Sequence, residues 1–230
     1  MHEIYAAEGA DGVAALGFAL AAMARAAPDR PLLWARQDLA AREYGGAYAP
    51  GLAAFGVDPA RLIAVGARDP RDLLQAGLEG ARCAGLGAAL IELHGPAAAY
   101  DLVASRRLAF AAAESGARVV MLRSAAAPAP SAAETRWRLR AAPSRPLPAE
   151  APGRPAFELV LLRQRNGQEG RRWLVEWNCD VGHFLERPLP EPGPAAADDA
   201  GPALSGAVVP LPALRADAER ADGERLRRAG

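Results

Sequence analysis

The sequence predicts an α/β protein: a mainly parallel sheet flanked by helices, with an antiparallel hairpin extension and a disordered C-terminal tail. Three observations predict it. Between residues 1 and 124, five short apolar runs alternate with helix-patterned segments, the arrangement of a parallel sheet covered on both faces. Further on, Thr135 to Arg140 (TRWRLR) alternates Arg with Trp or Leu, the period of a strand with one wet face. Proline divides the chain unevenly, with six before residue 125, seven in 125–156 and seven in 187–230. Such Pro-dense stretches continue neither a helix nor a central strand.

The elements follow in order. His2 to Ala6 is a short strand, and Asp11 can cap a helix whose Val13, Leu16, Leu20 and Met23 recur at helical spacing. Pro31 to Ala35 is a strand, and Arg42 to Phe55 is a helix interrupted by Gly and Pro. Arg61 to Val65 is the next strand. The Asp69-Pro70 pair then opens a helix to Ala84, with Asp at the cap and Pro in the first turn. Leu86 to Leu93 has the length of a buried strand, Tyr100 to Ser115 is helical and stops at Gly116, and Val119 to Arg123 closes the series. Phe157 to Arg165 and Arg172 to Asn178 flank Asn166-Gly167, a hairpin signal. In the second arm Trp173, Val175 and Trp177 share a face. These strands extend the same sheet. One domain is therefore expected over 1–186, with Pro-rich loop segments at 125–134 and 141–156, followed by a flexible Pro-rich and charged tail over 187–230.

Composition narrows the class. Of 230 residues 51% are hydrophobic and 23% charged, which excludes a collagen-like or wholly disordered chain. The 27 basic residues are all Arg and balance 27 acids, so every cation is a planar guanidinium suited to phosphate and to aromatic faces. Cys83 and Cys179 are far apart, which favours reduced thiols over a disulfide framework. The N-terminus lacks a basic segment followed by an apolar run, and no 18-residue apolar stretch is free of charge. A cytoplasmic protein without a membrane span is expected.

The strand, loop and helix at the start occupy the place of a phosphate loop. Such a loop needs glycines to surround phosphates, a Lys for the terminal phosphates and a Ser or Thr for magnesium. Here it runs Ala7-Glu8-Gly9-Ala10-Asp11-Gly12-Val13, with no Lys anywhere and two acids that repel a triphosphate. Glu92, leaving a buried strand, resembles a metal-holding acid but has no phosphate cradle to serve. Cys179 and His183 lack a second pair to complete a tetrahedral zinc site. No cofactor and no catalysis are expected.

The order of HEIYAAEG, RPLLWARQD, YAPGLAAFGVDPARLIAVGARDPRDLLQAGLEGARC, LGAALIELHG, SRRLAFAAAESGARVVMLR and WNCDVGHF resembles the ImuA family. These are RecA-like proteins of bacterial damage-inducible mutagenesis cassettes, and the resemblance covers roughly residues 2–184. Against RecA, the phosphate-loop Lys-Thr pair falls at Gly12-Val13 and the catalytic Glu near Gln37-Asp38. The resemblance implies a RecA-like fold and a non-catalytic accessory role in error-prone translesion synthesis and the SOS response. The implied partners are an ImuB-type inactive Y-family polymerase, RecA, an error-prone replicative-type polymerase, and DNA. Two other classes compete: a SulA-like damage-induced inhibitor of cell division, and an NTPase with an unorthodox cradle.

Segmenting the charge locates a candidate contact surface. Residues 1–120 carry −2, residues 121–187 carry +4, and residues 188–230 carry −2. The positive middle holds Arg136, Arg138 and Arg140 on one face of a strand, then Arg163, Arg165, Arg171 and Arg172 around the Asn-Gly turn. Phosphates supply most non-specific nucleic-acid affinity, so these seven are candidates for DNA or partner contact. The alternative is a solvated hairpin whose Arg residues pair with Glu158, Glu169 and Glu176.

Overall fold

The computed structural model describes residues 1–165, 167 and 169–189. Nine strands form one sheet: β1 (His2–Ala6), β2 (Leu32–Gln37), β3 (Leu62–Ala67), β4 (Ala88–His94), β5 (Arg118–Ser124), β6 (Thr135–Ala142), β7 (Ala156–Gln164), β8 (Arg172–Asn178) and β9 (His183–Arg187). Their order is β3-β2-β4-β5-β1-β6-β7-β8-β9. The first six are parallel, with β1 between β5 and β6. From β6 onward each strand pairs antiparallel with the next. The α/β class and the antiparallel extension are as the sequence predicts.

Five helices connect the strands: α1 (Gly12–Ala26), α2 (Asp38–Tyr44), α3 (Ala49–Ala54), α4 (Pro70–Arg82) and α5 (Leu102–Ser115). The α4 cap is the one expected, since the Asp69 carboxylate accepts from the Arg71 amide at 2.6 Å. Asp101 does the same for Ala104 at 2.7 Å. Gly116 ends α5 in the left-handed region, at φ 74°, which a side chain would resist.

Three expectations need correction. The single interrupted helix over Arg42 to Phe55 is two, because Gly45 and Gly46 break it between α2 and α3. β6 runs two residues past Arg140, to Ala142, because β7 continues to pair with it. β9 has no counterpart in the sequence-based order, because half of WNCDVGHF is a tight turn and only the strand beyond it shows the hairpin. Asn166 and the tail from Pro190 to Gly230 lie outside the described residues.

The core lies in two layers. On one face α1 packs Ala15, Ala19, Leu20 and Met23 against Ile4, Trp34, Leu90 and Leu122, and this layer continues under Leu139, Phe157 and Trp177 of the extension. On the other face α4 and α5 cover Leu33, Ala89, Ile91, Val119 and Met121, and no residue of β6–β9 joins that layer. One face of the extension is thus apolar and the other open. Gly9–Ala26 is long and apolar enough to cross a membrane by length and composition. Here α1 serves as the core helix of this layer, with Ala15 and Ala19 fully buried.

Aromatic rings hold the extension to the rest. Trp177, 2% exposed, donates from Nε1 to the Ala54 carbonyl at 2.7 Å and stacks on Phe55. Phe184 of β9 touches Phe18, Phe157 and Trp177. The WNCDVGHF segment is therefore a hairpin whose two aromatic residues clamp the far strands to α1 and α3.

Candidate functional site

The turn after β1 is closed by its own side chains. The Asp11 carboxylate accepts the Glu8 amide at 3.1 Å and the Ala141 amide of β6 at 2.8 Å. It makes no cap bond to α1, so the cap expected from the sequence is replaced by a tie between the turn and β6. Tyr44 lies across the first residue of α1. A Cβ at Gly12 would come within 2.5 Å of the Tyr44 ring, and the Tyr44 hydroxyl donates to the Gly9 carbonyl at 3.3 Å. Phosphate binding needs free amides at this helix start. Here the Tyr44 phenol lies against the first residue of α1, and the Asp11 carboxylate just before it adds a like charge that repels phosphate.

Glu92 is equally engaged. It is 1% exposed, accepts from Trp34 Nε1 at 2.9 Å and lies 2.9 Å from Arg36 Nε. Burial raises its carboxyl above the ordinary value, against the Arg36 charge and the Trp34 and Arg36 hydrogen bonds, which pull it down. Arg36 also donates to the Gly45 and Ala40 carbonyls, at 2.5 and 2.9 Å, fastening the α2 region to the strand. Gln37 accepts the His94 amide at 3.1 Å. The acid that a nucleotide enzyme would point at a metal is here locked into the sheet.

The seven candidate Arg residues do not act as one surface. Arg136 is a correction: it is buried at 8% exposure, not on a wet face. Its Nε pairs with the buried Glu3 at 2.7 Å, and its Nη2 donates to Ser131 Oγ at 2.8 Å and to the Ala129 carbonyl. The loop between β5 and β6 folds over it, which strand alternation could not reveal. Tyr100 donates to the same Glu3 at 2.5 Å. Arg163 is half-buried and directed at the Ser131 and Ala133 carbonyls, at 3.2 and 3.4 Å. It braces the same loop.

Arg138, Arg140 and Arg172 do come together. Registers Arg138↔Val160, Arg140↔Glu158 and Val160↔Arg172 put them on the open face of β6, β7 and β8. They line a cleft of about 430 Å³ with Ala7, Glu8 and Glu158. Arg140 pairs with Glu158 at 2.7 Å, and Arg172 pairs with the same carboxylate. Burial pushes the Glu158 carboxyl up, but the Arg172 and Arg140 hydrogen bonds and charges outweigh it and hold it below the ordinary range. Arg138 is exposed and no ion pair involves it among the described residues. Two guanidinia therefore share one firmly ionised partner, and the third, Arg138, stands beside them in the same cleft. Arg165 is exposed at the end of β7. Arg171 lies with its guanidinium 5.0 Å from the Trp173 ring, on the aromatic side.

Sequence reasoning missed Glu3 and Tyr44. A Glu inside the apolar strand HEIYA was the available signal for the first; for the second there was none. Cys179 is exposed in the β8–β9 turn, and His183 Nε2 lies 3.4 Å from Arg25. Among the described residues no group of three or more His, Cys, Asp or Glu could hold a metal.

A parallel sheet with a core helix after β1 and an antiparallel extension beyond it defines the RecA-like class. The fold is similar to the crystal structure of the RadB recombinase, with a TM-score of 0.50 and 12% identity over 77% of this chain and 87% of that one. The sequence relatives are more particular. The chain is 35% identical over 147 residues to Protein ImuA of Caulobacter vibrioides strain NA1000 / CB15N, and equally to that of strain ATCC 19089 / CIP 103742 / CB 15. Over this region the chain is similar to Protein ImuA, in line with the resemblance that its motifs carry. The match spans 59% of this chain and 58% of each relative. No protein-family model matches the chain.

Proposed function

We propose that this chain is a cytoplasmic, non-catalytic RecA-like accessory protein of damage-induced mutagenesis, supporting error-prone translesion synthesis in the SOS response. It works through contacts with an ImuB-type inactive polymerase, RecA, the error-prone replicative-type polymerase or DNA. The observation that carries the non-catalytic role is the obstructed start of α1: Tyr44 against Gly12, the Asp11 carboxylate tied to Glu8 and Ala141 just before the helix, and Glu92 held by Arg36 and Trp34. Opening it would require breaking contacts that also hold the turn to β6 and α2 to the sheet. Kinship with ImuA supports the mutagenesis role over a division inhibitor.

Equilibrium dialysis with labelled ATP and magnesium tests the catalytic question. No binding is expected at micromolar protein; micromolar, magnesium-dependent binding with turnover abolished in Glu92→Gln overturns it. Co-purification with ImuB, RecA and single-stranded DNA, and damage-induced mutation frequency in a deletion strain carrying the gene, test the accessory role.

A further inference from the structure

The surface of α4 and α5 carries features that neither the core nor the filled nucleotide position uses. A groove of about 210 Å³ runs between the two helices, floored by Leu74, Leu78 and Leu108, with Arg71 on one wall and Arg107 on the other. On α5, Val103, Arg107 and Phe110 follow one stripe at four- and three-residue spacing. Val103 is 53% and Phe110 68% exposed. Large apolar side chains grouped beside a groove and rimmed by charge mark interaction sites.

The charge is one-sided. No carboxylate lines the groove. Asp69 and Asp101 are engaged as helix caps, and Glu79 accepts from Gln75 and Arg82. Asp72 and Glu114 are exposed on the same helices but do not line it. Arg71, Arg106 and Arg107 are exposed with no ion pair among the described residues. A second copy of this surface would set these cations against themselves. Single-stranded nucleic acid prefers several stacking rings beside its cations, whereas here the floor is aliphatic. An aliphatic floor between basic walls matches a helix with apolar anchors at i, i+3/i+4 and i+7 and flanking acids.

We infer that the α4–α5 groove docks an acidic amphipathic helix of a partner protein, its apolar side chains on Leu74, Leu78 and Leu108 and its carboxylates on Arg71 and Arg107. The inference rests on the reading that the chain acts through partner contacts, and it names the chemistry of one such contact. Because the cations are on the rim, binding weakens as salt rises.

The test uses the full chain and two synthetic peptides of about 18 residues, long enough to be helical. Both carry Leu and Phe at i, i+3/i+4 and i+7; one is flanked by Glu and the other by Lys. In fluorescence anisotropy the Glu peptide binds and the Lys peptide does not. Arg107→Glu weakens the Glu peptide about tenfold or more, close to 1.4 kcal/mol. Phe110→Ser also weakens it, and Arg71→Glu with Arg107→Glu turns the preference toward the Lys peptide. Circular dichroism confirms that each variant is folded, and Arg118→Ala, at an exposed position of β5 outside the groove, leaves the affinity unchanged. Failure of the Glu peptide to bind, equal affinity for both peptides, or unchanged affinity in Arg107→Glu overturns the inference. So does displacement of the peptide by an oligothymidine whose own binding is lost in Arg107→Glu. Peptide binding that persists while co-purification with ImuB and RecA fails strikes the accessory-role reading alone.

Discussion

The start of β1–α1 and the open face of β6–β8 treat charge in opposite ways. Around the first, three acids have internal answers: Glu3 meets Arg136 and Tyr100, Asp11 meets two amides, and Glu92 meets Arg36 and Trp34. On the second, Arg140 and Arg172 share Glu158, and Arg138 lines the same cleft with no ion pair among the described residues. Burial accounts for the contrast. A charge taken out of water must be matched by neighbours, while an exposed guanidinium is solvated and can remain in excess. The closed region acts as a structural fastening; the open one remains available to an anion.

The largest effect expected from breaking this arrangement lies at the clamp that joins the two regions. Trp177→Ala removes a buried ring and the Nε1 bond to Ala54, and should cost about 3–5 kcal/mol, read as a lowered urea midpoint with β9 losing amide-exchange protection. Next is the buried pair. Glu3→Gln leaves Arg136 uncompensated and should cost about 3–5 kcal/mol. The double change Glu3→Leu with Arg136→Met should recover most of that loss, because neither member of the pair is then left as an unmatched buried charge; a double variant as unstable as the single one would refute this account.

Smaller effects probe the filled nucleotide position. Gly12→Lys with Val13→Thr restores the missing residue types, yet Tyr44 occupies the space beside Gly12. We expect no gain of ATP binding by dialysis and a loss of about 1–3 kcal/mol from overpacking. ATP binding by that variant would mean that the residue types alone, and not the geometry, were missing.

The smallest changes belong to the open face. Arg138→Ala should alter stability by less than about 0.5 kcal/mol. Combined with Arg140→Ala and Arg172→Ala, it should weaken any salt-sensitive binding of single-stranded DNA in filter assays. Unchanged affinity in the folded triple variant would move the DNA contact elsewhere. Glu158 adds a pH dependence with a definite sign. Its carboxyl is held below the ordinary value, so its contribution is present above about pH 4.3 and lost as pH falls through the lower folded value. Glu158→Gln should flatten that acid limb in a denaturation series; an unchanged limb would mean the pairs with Arg140 and Arg172 contribute nothing.

Most of the parallel half was legible beforehand. Its strands are continuous apolar runs, and the Asp69-Pro70 and Gly116 signals act within one helical turn. The extension was legible as alternation, but β9 was not, since five residues with mixed polarity carry no period of their own. The candidate site was half legible. Arg138 and Arg140 were found because their positions follow strand alternation, and Arg172 because it lies close to the Asn-Gly turn. Arg136 obeys the same alternation and was misplaced, because the loop that buries it comes from 125–134.

By itself, then, the sequence determined the fold class, the absence of a phosphate-loop Lys and the positive middle segment, all properties of residue type and short-range spacing. Only the tertiary structure decided that Tyr44 lies against Gly12 at the start of α1, that Arg136 is a core residue, and that Glu158 answers two guanidinia. Each of these joins residues from different elements, and local patterning carries no information about which distant side chain arrives to meet a given charge.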